Sequence, residues 1–225
     1  MNTKDYKPLF FRKTMGYEKE YQELKHNHLM NSSEYYKMRA KLAFKRYFNN
    51  KDPGKVLDFG VGMGQNIFFL KDAVGYDISE FALKFCNKKG IKTIEDLKEI
   101  KKESMDSVIS VHVFEHIDNP FETLKILKEK LKSGGKLILV VPALHHGKAD
   151  YKPDSNFELF AWNFRTINNL LIKAGFRVVD NHFFRGAGYY KLLPFSRIST
   201  KLYEWLTSFL GRFRDGELKI VAIKP

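Results

Sequence analysis

Val56-Leu57-Asp58-Phe59-Gly60-Val61-Gly62-Met63-Gly64 is an apolar run closed by an acid and an aromatic residue, passing directly into glycines spaced two apart. Apolar residues in an unbroken run fit a strand buried on both faces, as in a parallel sheet. Glycines at the end of such a strand let the backbone approach a bound ligand closely. A helix opening there would offer unpaired N–H groups to a negative charge. Asp77 follows Asp58 by 77 − 58 = 19 residues and stands at the end of the next apolar run. An acid at that place can accept hydrogen bonds from the ribose hydroxyls of an adenosine cofactor.

The surrounding pattern repeats this unit. Strands are expected at 55–59, 73–77, 91–94, 107–113 and 136–141, alternating with helices at 65–71, 80–89 and 120–131, the last opened by Pro120 and followed by Gly134-Gly135. Strand and helix in alternation predict a parallel sheet with helices on both faces, a doubly wound, Rossmann-like α/β domain. A helix at 166–174, then strands at 176–184 and 217–224, would complete a seven-stranded sheet. Upstream, Tyr35, Met38, Leu42, Ala43 and Tyr47 keep helical spacing after an N-cap at Ser32 or Ser33, and Pro53-Gly54 ends that stretch. The expected organisation is a helical appendage at 1–54 and a ligand-binding domain at 55–225, with 185–216 as an insertion before the last strand. About thirty residues between two strands are too many for a hairpin turn.

The dinucleotide fingerprint G-x-G-x-x-G/A, started at Gly60, would place Gly or Ala at position 65, where this chain has Gln65. The spacing is instead G-x-G-x-G, and the stretch from Val56 to Gly64 resembles the first motif of the class I S-adenosylmethionine-dependent methyltransferases. The resemblance runs on through Asp77 and Asp96-Leu97. It continues in Phe114-Glu115-His116-Ile117-Asp118-Asn119-Pro120, similar to the family's L-E-H-x-x-D-P, then in 131–137 and Ala174-Gly175-Phe176, and so covers roughly 53–183. It implies S-adenosyl-L-methionine as cofactor and S-adenosyl-L-homocysteine as product. Asp58, Gly60, Gly62 and Gly64 would shape the methionine end of the pocket, and Asp77 would hold the ribose. Ile78, Asp96 and Leu97 would surround the adenine, while His112 and Val113 would border the sulfur. Glu95 adjoins Asp96, so a slip of one residue changes that assignment.

Methyl transfer from a sulfonium is an in-line displacement, and the protein's main task is to position the acceptor and exclude water. A hydroxyl acceptor also needs a proton removed, for which histidine is the default group. His116 after the fourth strand, with His145 and His146 after the fifth, lie at the carboxyl edge of the sheet, where such folds bind ligands. His116 can equally orient its loop, and His145-His146 can be merely solvated. No metal site is expected, since His145, His146, Asp150 and Asp154 match no strong ligand spacing. Trp162, Phe164 and Arg165 are candidates for an acceptor pocket or for core packing.

The composition bounds the partners. The chain has 225 residues, 44% of them hydrophobic, enough for one sizeable core, with a formal charge of +13. Residues 1–54 hold 12 Lys and Arg against 6 acids and 143–225 hold 13 against 7, whereas 55–142 is nearly balanced at 14 against 13. Basic flanks point to anionic partners or to solubility. A single cysteine, Cys86, excludes an internal disulfide and agrees with a cytoplasmic location, and no apolar run has the length of a membrane span. Ile198, Leu202, Trp205, Leu206, Phe209, Leu210 and Phe213 recur at helical spacing among Arg197, Lys201, Arg212 and Arg214. Such a helix can lie on a membrane, cover a substrate or dimerise, and 195–214 is the candidate for peripheral membrane association.

Three readings follow. The leading one is methyl transfer to an oxygen or nitrogen of a small, glycan-like or lipid-linked acceptor, with anionic acceptors favoured by the charge. A second makes RNA the acceptor, although no nucleic-acid-binding module is recognisable. The third is a partner protein that binds S-adenosylmethionine without turnover.

Overall fold

A computed structural model of the chain describes residues 19–143, 158–186, 188–213 and 216–225. His145, His146, Asp150, Asp154 and Arg214 lie outside them. Seven strands form one sheet: β1 Val56–Phe59, β2 Ala73–Tyr76, β3 Thr93–Ile94, β4 Met105–Val111, β5 Leu131–Pro142, β6 Arg177–Arg185 and β7 Gly216–Ile223, in the order β3-β2-β1-β4-β5-β7-β6. The first five run parallel, with Asp58 opposite Gly75 on one side and Ile109 on the other. The last strand is antiparallel to both its neighbours, so the sheet is mixed and not wholly parallel. β7 takes the slot between β5 and β6, and because Arg185 pairs with Gly216 the insertion leaves and re-enters the sheet at the same end.

Helices cover both faces. On one, Leu124 and Leu127 of α4 (Pro120–Lys130) and Ile167 and Leu171 of α5 (Phe164–Lys173) pack on Leu57, Val108, Leu137 and Ile220. On the other, Leu83 and Cys86 of α3 (Glu80–Lys88) meet Val56, Ile109 and Val140 together with Ala43, Tyr47 and Phe48 of α2 (Ser33–Phe48). Residues of strands alternate between faces, so Val56 serves the second core and Leu57 the first. Ser32 caps α2 by accepting from the Tyr35 amide at 3.2 Å, and Asn49 ends it in the left-handed conformation. Because α2 builds part of the sheet's own core, the expected appendage shares that core.

Two expectations change in the detail. Residues 65–71 form successive tight turns, with Ile67 bonded back to Gly64 and Leu70 to Ile67, instead of a helix. Only a few residues separate the glycines from β2, and Ile67 and Phe68 anchor them in the cores. The glycine loop therefore opens no helix. In the insertion, α6 (Leu193–Ile198) and α7 (Thr200–Leu210) bury Leu193, Tyr203 and Thr207, a face beside the apolar stripe read from the sequence. No helix among the described residues is long and apolar enough to cross a membrane.

Candidate active site

A cavity of about 620 Å³ lies at the carboxyl ends of β1, β2 and β4, roofed by α1 (Lys19–Asn31) and the start of α2. Its floor is the glycine loop. Gly60 sits at φ +82°, where a β-carbon would collide with Val113 Cγ2 at 2.2 Å, so only glycine lets β1 turn beneath the segment after β4. Gly62, at φ +51°, would point a β-carbon into open space, which leaves a cradle above its backbone.

Asp77 closes the loop against β2. One carboxylate oxygen accepts from the Gly62 amide at 2.8 Å and the other from Ser79 at 3.0 Å, while Ser79 itself caps α3. The acid is half-buried and borders the cavity, and carboxylate oxygens have lone pairs beyond these two bonds. Ile78, 68% exposed, projects beside it from the rim.

Asp58 lies in the β1 strand below the loop and is fully buried, away from the cavity wall. Neither of its oxygens meets hydrogen-bond geometry with a donor. Burial holds its carboxyl well above the usual range, the charge of Asp77 adds to this, and Asn66 opposes it. Gly64 is likewise withdrawn, because a β-carbon there would meet Ile91 and Cys86, so its glycine serves packing. Asp96 and Leu97 also stand outside the wall. Asp96 caps a short 3₁₀ turn by accepting from Lys98 at 2.8 Å, and Leu97 packs against the core.

The end of β4 carries the strongest electrostatics. His112, at φ +55°, directs its ring between two buried acids, with Nε2 3.0 Å from Glu217 Oε1 and Nδ1 3.4 Å from Glu115 Oε1. Burial works against its charge, but the bonds to Glu115 and Glu217 outweigh it and lift its pKa to about 10. The ring is 42% exposed and faces the cavity as an imidazolium. His116, at the same end, is largely buried with Nε2 3.8 Å from the shared Glu115 oxygen, and its ring also borders the cavity. Val113 completes this wall.

The roof contributes residues that the sequence did not single out. Lys25, His26 and Arg39 line the cavity opposite the glycine loop. Burial first, then the positive charges of Arg39, His112 and Lys25, push His26 down to about 4 and hold it neutral. The helix departs from helical geometry at His26, where φ is −122°. His28 stacks on Tyr190 of the insertion, ring centres 4.1 Å apart, fastening the roof to the segment before α6. A helical pattern fixes α2 but cannot say which face looks into a cavity, and Glu217 is 105 residues from its partner His112. Trp162, 6% exposed and stacked on Phe160, belongs to the core, and Arg165 is on the surface; neither reaches the cavity.

The residues present fit an adenosine-bearing ligand: a glycine cradle, a carboxylate at its rim and an exposed apolar side chain beside it. Comparisons with known proteins agree. The family model described as a methyltransferase domain matches residues 28–181. An uncharacterised protein of Methanocaldococcus jannaschii is 37% identical over 90 residues, 38% of this chain and 43% of that protein, so the match spans less than half the relative's length. A solved S-adenosylmethionine-dependent methyltransferase from Archaeoglobus fulgidus is 21% identical, covering 83% of this chain and 94% of that one with a TM-score of 0.57. A chain of the Haloferax volcanii complex between the Trm112 methyltransferase activator and its candidate methyltransferase is 18% identical, covering 92% and 93% with a TM-score of 0.63. At these identities the two structures share the fold.

Proposed function

The chain belongs to the methyltransferase domain family, and from that premise we propose that it transfers a methyl group from S-adenosylmethionine to an oxygen or nitrogen of a small, glycan-like or lipid-linked acceptor of anionic character. S-adenosylmethionine supplies the electrophilic methyl group. Gly60 and Gly62 shape the floor for it, Asp77 accepts from its ribose, Ile78 covers the adenine, and His112 and Val113 border the reacting end. Asp58 lies buried below the loop with its carboxyl held toward the protonated form, and a cationic ligand above would favour loss of that proton.

The observation that carries the acceptor class is the composition of the walls opposite the loop. Lys25 and Arg39 face one volume from the roof and His112, paired with Glu115 and Glu217, from the β4 wall, while Asp77, Glu115, Asp118 and Glu158 line the same cavity. An anionic group of the acceptor would be met by the roof cations Lys25 and Arg39. A cavity of this size under a helical roof takes a small molecule or the end of a longer one. His116 is the group placed to take a proton from a hydroxyl acceptor, and Glu115, 3.8 Å away, would stabilise the imidazolium so formed. The roof formed by α1 keeps water from the reacting end.

The test is to incubate the full chain with isotopically labelled S-adenosylmethionine and a panel of phosphorylated, uronate-bearing and neutral sugars and lipid-linked glycans, and to follow labelled product by mass. Methylation of anionic members over their neutral counterparts is expected. Preference for neutral or cationic acceptors would overturn the acceptor class, and labelling of RNA alone would replace it.

A further inference from the structure

The insertion presents a surface that the methyl-transfer reading does not use. α7 docks through Tyr203 and Thr207 against Gly186 and Gly188, where any larger residue would collide: a β-carbon on Gly186 would lie 2.4 Å from the Thr207 carbonyl oxygen. This seating turns other large apolar side chains outward. Ile198 is 76% and Trp205 61% exposed, and Phe195, Phe209 and Leu210 are also exposed. Trp205 and Phe209 stack with centres 5.6 Å apart, forming a flat aromatic platform.

A groove of about 420 Å³ runs beside this platform, between α7, α2 and β6, and its walls are cationic. Lys45 is paired with Glu204, and Arg46 bonds the Gly186 carbonyl at 2.6 Å. Arg185 and Arg212 lie over Phe183 and Phe209, and Lys201 is exposed on α7. No carboxylate comes within ion-pair distance of Arg185, Lys201 or Arg212 among the described residues. A self-association through this face would bring like charges together, whereas a negative surface satisfies them. Exposed aromatic residues ringed by unneutralised cations suit the interface of an anionic bilayer, where rings enter the headgroup layer and basic side chains meet phosphates. α7 has 11 residues, too short to span, so it would lie along the surface.

We infer that the outer face of α6 and α7 docks the protein on a bilayer carrying anionic headgroups, with Trp205 and Phe209 inserted and Arg185, Lys201 and Arg212 on the phosphates. The inference stands apart from methyl transfer, and binding is read without any acceptor.

The chain has two tryptophans, and Trp162 is buried, so a lipid-dependent change in emission reports on Trp205. The full chain is mixed with vesicles of phosphatidylcholine alone or with added phosphatidylglycerol, and sedimentation and emission are followed. Sedimentation and a blue-shifted emission, quenched by brominated lipid, are expected with the anionic vesicles, with loss of both as salt rises. Trp205→Glu should lower partition at least about tenfold with an unchanged melting temperature. Should that variant misfold, Lys201→Glu with Arg212→Glu gives the same reading from exposed positions. Absence of binding at low salt, equal binding to neutral vesicles, or binding without quenching would overturn the inference. So would release by inorganic phosphate, which would mark a free-phosphate groove, or a dimer broken by Trp205→Glu that ignores vesicles.

Discussion

His112 Nε2 and Glu217 Oε1 stand 3.0 Å apart, joining the end of the central β4 strand to the first turn of β7, 105 residues later. The contact pins the strand that follows the insertion to the wall of the cavity. A protonated histidine is thereby fixed where the methyl acceptor is expected. The pairing has a measurable pH signature. His112 is raised to about 10, so its contribution to stability is fully present below the unfolded imidazole value of 6.5 and is lost as pH rises through about 10. Glu217 is lowered, which adds stability above the ordinary carboxylate range that disappears on acidification.

His112→Asn should therefore unfold more readily than the parent near neutral pH, by on the order of 1 kcal/mol, since the ring's exposure to the cavity screens the pair. Melting curves of both proteins from neutral to beyond pH 10 check this. The gap should close at the alkaline end. A gap independent of pH would show that the histidine carries no charge.

Asp58→Asn should stabilise the fold and weaken the cofactor. The buried carboxyl has a raised pKa, so its stability contribution is lost as pH rises from the unfolded value through the folded one, and the amide removes that dependence. The expected gain at neutral pH is about 1 to 3 kcal/mol. Denaturant unfolding and a titration with S-adenosylhomocysteine read the two effects. A variant less stable than the parent at neutral pH would mean the carboxylate has donors in solution.

Much of this site was legible before any coordinates. The apolar run at 56–59 and the glycines after it read as a buried strand and a close-approach turn, and Asp77 stands at the end of the second strand, as its spacing from Asp58 suggested. What escaped was set by packing across long separations. Nothing local says that Lys25, His26 and Arg39 roof a cavity, or that Glu217 finds His112. The expected helix at 65–71 failed because Ile67 and Phe68 serve core contacts within a short span before β2. Trp162, open between an acceptor pocket and core packing on the sequence alone, fills the core.

Asp77→Ala should cost about 1 to 3 kcal/mol of affinity for S-adenosylhomocysteine, through the lost ribose contact and a loosened Gly62 amide. Isothermal calorimetry on the variant decides it, and unchanged affinity would remove Asp77 from the cofactor site.

His116→Ala should slow methyl transfer to a hydroxyl acceptor by about 10² to 10⁴ while leaving S-adenosylhomocysteine affinity intact. Single-turnover rates across pH separate the roles. Undiminished turnover would leave His116 as a residue that only positions its loop.

On this reading the glycine loop and Asp77 hold S-adenosylmethionine. Calorimetric titration of the folded, ligand-free chain with S-adenosylhomocysteine, with NAD in parallel, tests it most directly. A single site of roughly micromolar affinity for the first and none for the second is expected. Binding of NAD in its place, or of neither, would contradict it.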